Sequence, residues 1–123
     1  MIETTTAVQL QGQKYISLAT FRRTGQEVRT PVWFAEQAGK LYVMTRSDSG
    51  KYKRVRNNPQ VRLAPCTARG KVIGGWSDGE ARILGPEQES VARQALARKY
   101  FLMRFPWLWS RKNVFLEITQ RPA

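Results

Sequence analysis

Histidine is absent from the sequence, and cysteine occurs once, at Cys66. Without histidine the chain lacks the usual general base, the Ser-His-Asp arrangement and the commonest metal ligand. A single cysteine excludes an internal disulfide and a zinc cluster, and Cys66 itself is expected to be a small buried residue. If the chain is an enzyme, a bound cofactor is therefore expected to carry the chemistry, and no catalytic residue or metal site is predicted.

Long hydrophobic runs are also missing. The longest apolar stretch, Tyr100 to Trp109, is interrupted by Arg104 and Pro106. It is shorter than the roughly 20 apolar residues that span a bilayer, so stable membrane insertion is not expected. Three interpretations stay open for it: packing against the body of the fold or a second subunit, a lid over a hydrophobic substrate, or a membrane-surface patch. Residues 1–7 lack the features of a secretory signal, so a cytoplasmic location is the default expectation.

Carboxylates are scarce relative to cations. The sequence contains nine Asp and Glu residues and 21 Lys and Arg residues, which gives a net charge of +12 over 123 residues. The length predicts one domain, residues 1–123, and an apolar content of 41% excludes a disordered chain. The charge predicts an anionic partner such as nucleic acid, anionic lipid or a multiply charged cofactor.

Five of the cations fall within residues 46–56, directly after an apolar, strand-like run at 41–45. Small hydroxyl residues and a glycine mark a turn at which a helix can begin. Such a turn brings together free backbone N–H groups and the positive end of the helix dipole, and Lys51 adds a charge there. The arrangement favours a phosphate site. The alternative is that the cluster is simply a solvated helix face, with Lys53 and Arg56 the members that best fit this description.

Apolar and polar residues alternate along most of the chain. The pattern predicts six strands at 14–22, 28–35, 40–45, 61–64, 80–84 and 113–119, in mostly hairpin order. Pro31 cannot donate to a sheet ladder, so its strand is predicted to be an edge or bulged. Helices are predicted at 50–57 and after Pro86, and a hairpin turn at Ser77–Gly79. Together these elements predict an α+β, mainly β protein with a small antiparallel barrel.

Three segments in order, residues 17–20, 29–34 and 42–59, resemble the split-barrel flavin-binding proteins related to pyridoxamine 5′-phosphate oxidase. Residues 69–74 and 79–82 are similar to the actinobacterial branch that uses the deazaflavin coenzyme F420. The resemblance extends over about residues 12–120, and the order and spacing of the motifs carry it. It implies a six-stranded antiparallel split β-barrel with two helices, which forms a homodimer with a cofactor site at the subunit interface.

The resemblance also implies which residues bind the cofactor. Hydroxyl and basic groups after the third strand would hold the phosphate: Thr45, Arg46, Ser49, Lys51 and Arg54. The second strand would lie along the ring system and offer it backbone groups, through Thr30, Pro31, Val32 and Trp33. The partner subunit would contribute Gly74, Gly75 and Trp76. From the residues alone, Trp33 fits a ligand groove and a dimer interface equally well.

The function implied by the resemblance is that of an F420-dependent oxidoreductase, which transfers hydride between the deazaflavin and a conjugated small organic substrate. An FMN-binding oxidoreductase or flavin carrier of the same fold is the alternative. The absence of histidine argues against oxidation of pyridoxamine phosphate itself. A basic nucleic-acid-binding barrel, with Trp33, Tyr52 and Trp76 among the cations, is an alternative of another class. The ordered motifs argue against it, so no nucleic-acid partner is expected.

Overall fold

The computed structural model describes residues 10, 12–100 and 112–121. Seven strands and two helices, with a 3₁₀ turn at Pro86–Gln88, make up these residues: β1 (Tyr15–Phe21), β2 (Glu27–Trp33), β3 (Ala35–Gln37), β4 (Lys40–Arg46), α1 (Gly50–Asn57), β5 (Gln60–Cys66), β6 (Ser77–Ile83), α2 (Glu89–Lys99) and β7 (Asn113–Gln120). Most of the aromatic segment Tyr100 to Trp109 lies outside the described residues, so its three interpretations stay open.

The strands form one antiparallel sheet in the order β2-β1-β5-β6-β7-β4-β3. The two edge strands, β2 and β3, are separated in the chain by one residue, Phe34. A connection of one residue can join opposite edges only if the sheet curls until those edges lie together. The fold is therefore a curled, barrel-like sheet with an opening beside β2, as the split-barrel expectation predicted.

The strand count differs from the prediction because the alternation over 28–35 is not one strand. The chain leaves the β1 ladder after Trp33, which pairs with Tyr15, and joins the β4 ladder at Ala35, which pairs with Tyr42. Phe34 lies between the two ladders and is buried in the barrel interior. The predicted edge position of Pro31 is confirmed, since β2 pairs only with β1 among the described strands.

Tyr100 fixes the crossing at Phe34. Its hydroxyl lies 2.6 Å from the carbonyl oxygens of Lys14 and Phe34, to either of which it can donate. The same hydroxyl accepts a hydrogen bond of 3.1 Å from the Phe34 N–H. Its ring stacks on Trp33, with ring centroids 4.6 Å apart. One side chain thus satisfies the backbone groups that Phe34 cannot pair within either ladder.

The hairpin turn predicted at Ser77–Gly79 is wrong, because these residues are the first three of β6. Gly79 is buried, and a methyl group placed on it would lie 3.1 Å from the Thr119 carbonyl oxygen and 3.3 Å from a Leu63 methyl. The glycine thus reflects close packing between neighbouring strands rather than turn geometry. Asp78 and Glu80, its exposed neighbours, lie on the opposite face of the strand.

Replacing Gly79 with alanine is expected to lower the free energy of unfolding by about 1 kcal/mol, since the overpacking penalty exceeds the gain from a stiffer unfolded chain. Urea unfolding followed by tryptophan fluorescence measures the change. Asp78→Ala, on the exposed face, is the control and should change stability by less than about 0.5 kcal/mol. Equal stability of wild type and Gly79→Ala would contradict the packing interpretation.

Two apolar clusters organise the interior. The first fills the barrel, around Ile16, Leu18, Leu63 and Leu116. The second lies between α2 and the outer side of the β3–β4–β7 region, and Trp33 and Met44 pack against it. These two residues therefore lie at the opening between β2 and β4, with α2 beside them. Among the described residues, no helix has the length and apolar character needed to cross a membrane.

Candidate functional site: the cavity between β2 and β4

A cavity of about 390 Å³ occupies the opening in the sheet. Its volume lies within the range usual for small-molecule sites. Three neighbouring residues of β2 and three of β4 face each other across it, and α1, α2 and β7 complete the wall. The lining residues are Pro31, Val32, Trp33, Met44, Thr45, Arg46, Ser49, Lys51, Leu96 and Asn113.

One end of the cavity is the start of α1, where the predicted helix 50–57 is found. Ser49 is the N-cap, and its hydroxyl accepts a hydrogen bond of 3.2 Å from the Tyr52 N–H. The hydroxyls of Ser49 and Thr45 lie 3.0 Å apart. No acidic residue occupies the first turn of the helix. Within α1, therefore, no carboxylate opposes the positive end of the helix dipole that meets the cavity.

Lys51 is the cation that contributes most to this end. It is half-buried in the first turn of α1. Burial, and then the nearby Arg54 guanidinium, lower the pKa of Lys51 below its usual range. Within the described part of the chain, no carboxylate pairs with it, whereas seven other ion pairs are formed. A half-buried cation without a counterion favours an anionic ligand electrostatically.

Arg46 differs from Lys51 because it already has a carboxylate partner. Its guanidinium makes two hydrogen bonds to Asp48, of 3.0 and 3.1 Å. Lys112 approaches the same carboxylate at 3.5 Å. The two cations hold the pKa of Asp48 below its usual value, with the Arg46 hydrogen bond the largest cause. Asp48 thus anchors the loop between β4 and α1. The exposed cations Arg46 and Lys112 compensate its negative charge.

Arg54, which was predicted to bind phosphate, is not among the residues that line the cavity. Its Nε donates a hydrogen bond of 2.6 Å to the hydroxyl of Thr20, a fully buried residue of β1. Its guanidinium also folds back over the start of the helix, where a methyl group on Gly50 would lie 2.6 Å from Nη1. Gly50 therefore leaves the space that Arg54 occupies, and Arg54 ties α1 to the barrel.

Arg54→Ala is expected to lower the free energy of unfolding by about 1–2 kcal/mol, because it leaves the Thr20 hydroxyl buried without a partner. Adding Thr20→Val should recover most of this loss, since removal of both partners is nearly neutral. Thermal unfolding of the two variants and of Arg56→Ala, an exposed control on the same helix, measures the effect. Equal losses for Arg54→Ala and Arg56→Ala would contradict the structural role.

The side of the cavity that β2 forms is mostly apolar. Pro31, Val32 and Trp33 face it from β2, and the Trp33 ring is held by its stack on Tyr100. The Thr30 hydroxyl oxygen, one residue before this run, is buried and has no hydrogen-bond partner among the described residues. Thr30 is not among the residues that line the cavity, so its predicted contact with the cofactor stays a prediction.

Asn113 is a lining residue that the sequence analysis missed. It is the first residue of β7 and pairs with Arg46, so it lies at the cationic end of the cavity. Its side-chain Nδ2 is buried and lacks a hydrogen-bond partner within the described residues. No local sequence signal marks it, because its place depends on pairing between strands more than 60 residues apart in the chain.

Gly74, Gly75 and Trp76 do not line this cavity in the same subunit. Trp76 is held on the sheet surface by two guanidinium groups, with Arg29 4.5 Å and Arg62 5.1 Å from its ring centroid. The contribution of these three residues to a partner's site stays a prediction. Seven of the twelve predicted binding residues line one cavity: Pro31, Val32, Trp33, Thr45, Arg46, Ser49 and Lys51.

The fold resembles those of several solved structures. HutZ, the heme storage protein from Vibrio cholerae, matches with a TM-score of 0.77 and 12% identity, over 99% of this chain and 92% of that one. A conserved hypothetical protein from Mycobacterium tuberculosis matches with a TM-score of 0.75 and 22% identity, over 98% and 81%. A heme binding protein from Mycobacterium smegmatis matches with a TM-score of 0.71 and 12% identity, over 95% and 49%. At these identities the likeness shows the fold alone.

The curled sheet and the cavity at its opening define a split-barrel protein. The sequence model of the pyridoxamine 5′-phosphate oxidase family matches residues 2–119, so the chain belongs to that family. No curated protein matches the chain significantly in sequence. Family membership confirms the resemblance to split-barrel proteins related to this oxidase, while the F420 branch stays a prediction.

Proposed function

We propose that the cavity between β2 and β4 binds a phosphorylated flavin-type cofactor and that the protein is an oxidoreductase. Coenzyme F420 is the first candidate, and FMN is the alternative. The observation that carries the proposal is the polarity of the cavity. A half-buried lysine without a carboxylate partner among the described residues lines the cavity from the start of α1, and apolar β2 residues with a stacked tryptophan line it from the sheet edge.

The cationic end suits a phosphate group. Ser49 orders the first turn of α1, so the free N–H groups there point in a fixed direction. Lys51 supplies a charge that no described carboxylate neutralises, and Arg46, which is paired with Asp48, also lines the cavity. A phosphate placed there would recover the electrostatic energy that the burial of Lys51 costs.

The side of the cavity that β2 forms suits a planar ring system. Trp33 presents an aromatic surface whose orientation is fixed by Tyr100. Pro31 brings no N–H group, and β2 is an edge strand, so backbone groups on its free side are available to a ligand.

A deazaflavin supplies hydride transfer, and a flavin supplies hydride or electron transfer. The residues of this chain would bind the phosphate, orient the ring and exclude water from one of its faces. The substrate proposed with F420 is a small organic molecule with a conjugated acceptor. The net charge of +12 favours a multiply anionic cofactor such as F420, although FMN also benefits from it.

The proposed assembly is a homodimer in which the second subunit completes the cofactor site. Ile73 is half exposed, and it precedes Gly74, Gly75 and Trp76, the residues proposed to reach the partner. Among the described residues, Ile73 is the more exposed of two large apolar side chains at the surface, so its substitution probes this region. Light scattering coupled to size exclusion gives the mass in solution. A dimer that Ile73→Lys converts to a monomer supports the interface, and a monomeric wild type would contradict it.

Equilibrium titration with F420, FMN and riboflavin tests the cofactor proposal. Tryptophan fluorescence at moderate salt monitors the binding. Riboflavin is the matched ligand without a phosphate. The proposal predicts micromolar binding of F420 or FMN, and affinity for riboflavin at least tenfold lower than for FMN if FMN binds. F420 binding without FMN binding would assign the deazaflavin branch, and the reverse would assign the flavin branch. A substrate screen with the bound cofactor then separates an enzyme from a carrier.

Two other ligands serve as competing outcomes. Heme is bound by structural neighbours, but this chain has no histidine, the commonest protein ligand of heme iron. Single-stranded DNA would fit the basic surface. Binding of hemin or of DNA with a steep salt dependence, without binding of F420 or FMN, would contradict the proposal.

A further inference from the structure

We infer that Asn113 is a ligand-binding residue and that its side-chain amide donates a hydrogen bond to an anionic oxygen of the bound cofactor. The inference rests on the proposed function, because it assigns a donor to the phosphate end of the same cavity. Asn113 belongs to a strand far from α1 in the sequence. The other residues proposed to bind the phosphate all lie within residues 45–51.

The position of Asn113 places its amide at the cationic end. It pairs with Arg46, the last residue of β4. The residues adjacent to this pair are also linked: the N–H of Ser47, which follows Arg46, donates a hydrogen bond of 2.7 Å to the carbonyl oxygen of Lys112, which precedes Asn113. The start of β7 is therefore held against the loop that leads into α1, and Asn113 lines the cavity together with Ser49 and Lys51.

The hydrogen-bonding state of the amide is the second observation. Nδ2 carries two N–H groups, is buried, and has no partner among the described residues. A buried donor without an acceptor destabilises a protein, so such a group normally has an explanation. An acceptor on the ligand supplies one here. The preferred acceptor is an anionic oxygen rather than a neutral carbonyl, because Lys51 lines the same cavity and has no carboxylate partner among the described residues.

A structural role and a binding role for Asn113 predict opposite changes in stability. If the amide only supports the fold, Asn113→Leu should destabilise the protein. If it serves the ligand, the same change removes an orphaned donor, and the free protein should be equally or more stable. Asn58 provides the matched control. Its side-chain oxygen accepts a hydrogen bond of 3.1 Å from the Gln60 N–H, so Asn58→Leu should destabilise the protein and leave affinity within about twofold.

The experiment compares wild type, Asn113→Leu, Asn113→Asp and Asn58→Leu by thermal unfolding without ligand and by titration with F420 and FMN. For whichever cofactor the wild type binds, Asn113→Leu should weaken binding by roughly 10- to 100-fold with no fall in midpoint temperature. Asn113→Asp should weaken it at least as much, because a carboxylate repels the phosphate.

Two failures are distinguishable. If the wild type binds a cofactor and Asn113→Leu binds it equally well, the inference is overturned and the proposed function stands. A marked loss of stability in Asn113→Leu would likewise overturn it, since the amide would then have a structural partner. If the wild type binds neither F420 nor FMN, the proposed function fails and the inference fails with it.

Discussion

Lys51→Ala is expected to weaken cofactor binding by roughly 10- to 100-fold, because it removes a charge-assisted hydrogen bond to the phosphate. The stability of the free protein should fall little, since Lys51 makes no ion pair within the described residues and its pKa is lowered by burial. Calorimetric titration of wild type and variant with F420 and with FMN measures the loss.

Lys53 is the matched control for this prediction. It lies on the same helix, is exposed, and does not line the cavity. Lys53→Ala removes the same net charge and should reduce affinity by less than about threefold, the size of a screened surface effect. Equal losses for the two variants would show that the net charge attracts the cofactor without a phosphate site at the start of α1.

The pH dependence of binding follows from the lowered pKa of Lys51. The charged amine binds the phosphate, and the amine loses its proton at a lower pH than an ordinary lysine. Affinity should therefore fall as the pH rises from neutral towards the ordinary lysine value of about 10.4, a range in which the charge on the phosphate does not change. Lys51→Arg keeps its charge throughout, so its affinity should stay nearly constant over that range. An identical decline in both proteins would assign the titration to another group.

Tyr100→Phe is expected to lower the free energy of unfolding by about 2–4 kcal/mol. The ring and its stack on Trp33 remain, but the Phe34 N–H and carbonyl lose the hydroxyl that satisfies them. Urea unfolding measures the loss. Tyr52→Phe is the control, since the Tyr52 hydroxyl makes no hydrogen bond among the described residues. A loss below about 0.5 kcal/mol for Tyr100→Phe would contradict its role in closing the barrel.

The dependence of stability on alkaline pH tests the same hydrogen bonds of the Tyr100 hydroxyl. Burial raises the pKa of Tyr100 to about 12 in the folded state, whereas an exposed tyrosine titrates near 10. Below about pH 10 the hydroxyl is protonated in both states. Between about pH 10 and 12 only the unfolded chain loses the proton, so the stability associated with Tyr100 falls with rising pH. Tyr100→Phe should show a shallower decline over this window.

Local features of the fold could be predicted from the sequence. Period-two alternation located most of the strands, and Pro31 indicated an edge. The turn chemistry and cations of residues 46–56 located α1, because a helix start and its cap depend on neighbours in the chain. For the same reason, the residues proposed to bind phosphate are mostly those that line the cavity.

Features that depend on distant contacts could not be predicted. The alternation from Val28 to Ala35 continues smoothly through Phe34, and only Tyr100, 66 residues away, marks where the strand breaks. Gly79 resembles a turn glycine because packing by Leu63 and Thr119 leaves no local signal. Asn113 is one polar residue at the start of an apolar strand, and its role depends on β7 lying beside β4.

The most direct test of the central claim is a map of backbone amide shifts in ¹⁵N-labelled protein on titration with F420, and in parallel with FMN. The account predicts that one of them shifts the amides of Gly50, Lys51 and Asn113 together with the indole of Trp33. Such a pattern would place the phosphate at the start of α1 and the ring against β2. Shifts confined to the outer face of β6 and β7, around Arg82 and Glu117, would contradict the assignment of the site, as would the absence of shifts with both cofactors.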